Sequence, residues 1–160
     1  MFASRKHHQD GFTLVELLIV VLIIAILLAI AIPTFIGSIQ RAQDRGAQTH
    51  VRHALTAELA IYTDNEHFTA VSATLTATEP RLVYVAGVPA KATSQVYVAT
   101  NGAADEVVLG AQGSAGRCFW VRESVPGGSA GLRWNTSTDC SAPPAVDDAG
   151  FTMQDPPASG

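Results

Sequence analysis

Residues 12–32 constrain this chain more than any other stretch, because from Leu17 through Ile32 no polar side chain appears and Pro33 is the first break. Counted from Phe12, the run reaches the roughly 20 apolar residues that a helix needs to cross a bilayer. A single carboxylate, Glu16, lies inside it. An ionised group in hydrocarbon costs at least ~2.5 kcal/mol on insertion scales, so such a residue is read as functional until a partner accounts for it. The competing reading is a carboxylate that snorkels from near the helix end to the headgroups.

The flanks give the run a direction. Residues 1–11 carry Arg5, Lys6, His7 and His8 against one acid, Asp10, a basic flank expected to stay cytoplasmic while the following chain emerges outside. After Pro33, Ala47, Val51, Leu55, Leu59 and Tyr62 recur at intervals of four and three, with Arg45, Arg52, Glu58 and Asp64 elsewhere. That pattern predicts an amphipathic continuation with one buried face, and a helix bent at Pro33 rather than ended there. A helix from Phe12 to about Asp64 is about 80 Å long at 1.5 Å per residue, longer than a small domain is wide, so its first half is expected to project.

Gly11, Phe12, Thr13, Leu14, Glu16 and Pro33 stand at spacings that resemble the N-terminus of type IV pilins and of the related pseudopilins of type II secretion. The resemblance covers residues 1 to about 40. It implies an α+β, pilin-like fold: a long bent N-terminal helix whose second half packs on a small antiparallel sheet. It further implies that a membrane-embedded prepilin peptidase cuts after Gly11 and methylates the new amine of Phe12. Glu16 would then pair with the N-terminal amine of a neighbouring subunit, a contact that sets register more than it adds stability, since desolvation offsets most of the attraction. One departure stands at Ala25, where many family members place a helix-loosening Gly.

The expected organisation is a cleaved leader (1–11), a transmembrane and filament-core helix (12–36), an amphipathic half (37–65), a sheet domain (66–140) and a Pro- and Asp-rich tail (141–160). Residues 68–80 are Thr- and Ala-rich without a period and read as a surface connection. Four β-rich runs follow, 81–86, 95–100, 106–111 and 117–123, for which an antiparallel meander is the simplest arrangement. Leu82, Tyr84, Val96, Val98, Val107, Leu109, Phe119 and Val121 would form the face that covers Val51, Leu55 and Leu59, with Tyr84, Phe119 and Trp120 sensitive to a one-residue slip. Residues 132–135 suit a short extra strand.

Cys118 and Cys140 fall in the part expected outside the membrane, where a pair fits a disulfide better than a metal site; two reduced thiols are the alternative. Other motifs are weaker. Gly127-Gly128-Ser129-Ala130-Gly131 matches a nucleophile elbow in letters, but neither the preceding strand nor the following helix is suggested. His50 and His53 lie one helical turn apart without a third ligand. Asp147-Asp148 could offer oxygens to calcium, as in some major pseudopilins, but no ligand loop is recognisable. Asn135-Thr136-Ser137 is a sequon short enough to arise by chance.

The net charge of −4, with nine acidic against five basic residues from Glu66 onward, does not support a nucleic-acid footprint. No constellation points to an enzyme or a cofactor. The resemblance implies as partners the prepilin peptidase and methyltransferase, copies of the chain in a helical filament, related minor pilins, the inner membrane, and an assembly platform with a cytoplasmic ATPase. A pseudopilin of type II secretion or DNA uptake is the close alternative. A single-pass membrane-anchored binding protein is the alternative from another class.

Overall fold

A computed structural model describes residues 11–91, 93–114, 116–125 and 131–145. The chain forms two compact units, one up to Ser38 and one from Ile39 onward, and helix α1 (Leu14–Asn65) contributes to both.

In the first unit every residue from Gly11 to Ile36 is exposed. Leucine, isoleucine and valine dominate a surface that water would not tolerate bare, so this segment demands a lipid or protein surround. Its backbone is self-sufficient in such a medium, since helical carbonyls and amides pair within the segment. Pro33 lies inside α1, and the helix continues beyond it. Next to the proline, which cannot donate to the preceding turn, Thr34 Oγ1 donates to the Ile30 carbonyl at 2.9 Å and Ser38 Oγ to the Thr34 carbonyl at 3.0 Å. Both hydroxyls are thereby satisfied without water.

The second unit sets the rest of α1 against a five-stranded sheet of order β1-β2-β3-β4-β5: β1 Val83–Val85, β2 Gln95–Thr100, β3 Glu106–Gln112, β4 Cys118–Ser124 and β5 Arg133–Ser137. Alternation along the strands sends Tyr84, Val96, Val98, Val107, Leu109, Phe119, Val121 and Trp134 into one core with Ala47, Val51, Ala54, Leu55 and Ile61 of α1. The expected inner face is therefore the observed one, and Tyr84 and Phe119 face inward.

Trp120 faces the other side of the sheet, clustered with Val108 and Cys118 and meeting Tyr97 edge-on at 5.7 Å between ring centroids. Gly110, opposite it on β3, makes room for this indole, because a Cβ there would lie 2.0 Å from Trp120 Cε3.

Four expectations are corrected. The sheet is mixed: β1 pairs parallel to β2, with Val83 opposite Gln95, while the other pairs are antiparallel. A parallel neighbour usually needs a crossover of a dozen or more residues. Here β1 has only three residues, so the loop between Val85 and Gln95 has little length to retrace.

The connection at 68–80 is not wholly a surface segment, since it contains α2 (Ser72–Thr78) and buries Phe68 and Leu75 completely. Leu59 is 41% exposed and leaves the core face to Ile61. Steps of four residues from Ala47 drift by about 40° each on a helix of 3.6 residues per turn, so the third step leaves the stripe. Glu58, expected among the solvated residues, is buried instead.

Two ion pairs and the disulfide tie the unit together. Arg122 Nη2 donates to both Glu106 oxygens at 2.7 Å on β3 and β4, and Arg117 pairs with the buried Asp44 of α1. Cys118, the first residue of β4, is bonded to Cys140, beyond β5.

Candidate processing and assembly site

Thr13 is where the extended chain becomes a helix. Its carbonyl accepts the N–H groups of Glu16 at 3.1 Å and Leu17 at 3.3 Å. Its hydroxyl oxygen also accepts the Glu16 N–H at 3.2 Å and lies 3.5 Å from Glu16 Oε2, to which it donates. Thr13-Leu14-Val15-Glu16 is thus an N-terminal capping arrangement, with Glu16 in the first turn, where the helix dipole favours an anion. The sequence reading took Thr13 only as a motif letter. The Thr-x-x-Glu spacing before an apolar run was the signal that could have found the cap.

Gly11 and Phe12 precede the helix and are exposed. A Cβ built on Gly11 meets nothing within 4 Å, so the fold itself does not require glycine there. What this end of the chain offers is an accessible peptide bond next to a capped apolar helix. Its carboxylate stands on the first turn after that bond.

The remaining sequence candidates are dispersed. His50 and His53 acquire no further ligand: among the described residues, no group of three or more His, Cys, Asp or Glu is placed to hold a metal. Asn135 sits mid-strand in β5, opposite Trp120, and is half-buried. Gly127 to Ala130 of the elbow-like pattern, the basic residues of the leader, Asp147 and Asp148 lie outside the described residues.

Residues 6–32 match the family described as the prokaryotic N-terminal methylation motif. The chain is 41% identical over 69 residues to the type IV major pilin protein of Myxococcus xanthus, a match covering 42% of this chain and 31% of that one. It is 48% identical over 46 residues to the competence protein ComGC of Halalkalibacterium halodurans, covering 29% and 45%. It is 38% identical over 68 residues to the type IV wide pilus major component of Thermus thermophilus, covering 42% and 52%. The chain thus spans about half or less of the length of these relatives. No solved structure matches it.

A helix that begins on a methylation motif and runs into a small mixed sheet defines the class as a pilin-like α+β protein. Motif, fold and relatives together support a member of the type IV pilin family.

Proposed function

We propose that the chain is a structural subunit of a type IV pilus-like filament, held in the inner membrane by residues 12–36 until assembly. The single observation that carries this reading is the exposed apolar first half of α1, introduced by the Gly11-Phe12-Thr13-Leu14-Val15-Glu16 motif. A surface so apolar needs lipid first and neighbouring helices later, and head-to-tail association of identical subunits generates open helical filaments.

A prepilin peptidase cuts between Gly11 and Phe12 and methylates Phe12, leaving an amine beside the first turn of α1. Glu16 of one subunit then meets that amine on a neighbour and sets the register. Pro33 supplies a bend between the spanning and amphipathic segments. The N-terminus faces the cytoplasm, the sheet domain lies outside, and the role is structural, as the names of the relatives suggest. Related minor pilins, an assembly platform and its cytoplasmic ATPase complete the partners.

The similarity to a competence protein favours a second reading, a DNA-uptake or secretion filament built on the same principle. Mass spectrometry of the protein from its host tests the first step of both. The expected mass is that of a chain beginning at methylated Phe12, and Gly11→Leu is expected to leave the leader attached. A mature chain that retains Met1 to Gly11 would favour a single-pass anchored binding protein instead.

A further inference from the structure

Glu58 is completely buried on the core face of α1. Its Oε2 accepts the Thr69 backbone N–H at 3.2 Å, while its Oε1 is buried without a hydrogen-bond partner. The two ion pairs among the described residues, Arg117–Asp44 and Arg122–Glu106, leave it without a counter-ion. From β1, Tyr84 presents a buried hydroxyl that also lacks a partner. From the end of α2, Glu79 adds a second negative charge felt at that phenol. Asp64, Glu66 and His67, at the end of α1 and just beyond it, are exposed.

Thr69 belongs to the connection that carries α2. This connection leaves α1 through Glu66 in the left-handed region (φ 59°) and is pinned by the Phe68 N–H to the Ala104 carbonyl at 2.8 Å. Beside it, His53, Thr56, Ala57 and Ala60 of α1 face Thr78 and Glu79 across an open groove of about 390 Å³.

We propose that Glu58 is a protonation-controlled latch: its neutral acid keeps the 66–71 connection and α2 closed on α1, and its ionisation opens that seam to water. A buried carboxylate with one amide donor and no cation is poorly solvated, whereas the neutral acid gains an O–H for an otherwise idle oxygen. Burial pushes Glu58 up from its ordinary 4.5 to about 7, against the smaller opposing pull of the Thr69 N–H. In an opened, hydrated seam it returns toward the ordinary value. Between those two values the closed state holds a proton that the open state has lost. Closure is therefore strongest below the lower value, weakens by about tenfold per pH unit through the window, and levels off above pH 7.

Amide hydrogen exchange of the full chain in detergent micelles, corrected for intrinsic rates, reads this directly. From pH 5 to pH 7 the protection of Thr69 and Leu75 is expected to fall by about 40-fold, with Val107 of β3 unchanged. Glu58→Gln, which keeps an acceptor for Thr69, is expected to flatten the profile. A flat profile in the unsubstituted protein, or an undiminished slope in Glu58→Gln, overturns the latch. Should that variant fail to fold, ¹³C titration of the Glu58 carboxyl in the unsubstituted protein decides instead. A midpoint near 7 supports the latch, and one near the ordinary carboxylate value overturns it.

Discussion

Thr13 caps the helix end, and the role proposed for Glu16 in the filament separates from that cap by substitution. Thr13→Ala removes the cap and is expected to cost about 1 kcal/mol of local helix stability, seen as fraying of the first turn in amide exchange, with filaments still formed. Glu16→Val is expected to insert into the membrane at least as well, because it removes a charge from an apolar run, and to leave the sheet domain intact. Filaments should nevertheless be lost or disordered when it is the sole copy, which electron microscopy of the host scores directly. Normal filaments with Glu16→Val would reduce the carboxylate to a capping group. At this scale the sequence was legible in the N-terminal motif, which the family match over residues 6–32 covers. It was misleading at Glu58, assigned to water by its charge, although it stands three and seven residues after Leu55 and Val51 on the buried stripe.

Elements built on strict alternation could be read in advance, and those set by long-range pairing could not. The inward residues of β2, β3 and β4 followed from period two, since a one-residue slip would send each of them to the other face of the sheet. The parallel pairing of β1 depends on where a nine-residue loop lands, and α2 is a short helix held by the burial of Leu75; neither leaves a periodic trace.

The close approach of β3 and β4 at Gly110 makes a test of the observed register. Gly110→Ala places a methyl group inside the Trp120 ring position and is expected to destabilise the domain by roughly 1–3 kcal/mol in denaturant unfolding. Unchanged stability would mean that the indole lies elsewhere. The Cys118–Cys140 bond closes a loop of sequence separation 22, and Cys118→Ser is expected to cost about 3 kcal/mol in the same assay. Adding a reductant should reproduce that loss in the unsubstituted protein and change nothing further in the variant.

For the whole molecule, the central claim is that one helix does two jobs in succession, membrane anchor and filament core, while its second half carries a folded domain. The exposed apolar segment and the compact sheet unit are opposite solutions to hydrophobic burial in one chain. The sheet unit buries its own apolar face, whereas the segment before it requires a partner surface. The most direct measurement shears filaments from host cells, decorates them with an antibody to the sheet domain for electron microscopy, and determines the N-terminal residue of the chain they contain. The account predicts decorated filaments composed of a chain that begins at methylated Phe12. Antibody confined to the membrane fraction, on a chain that still carries Met1 to Gly11, would contradict it.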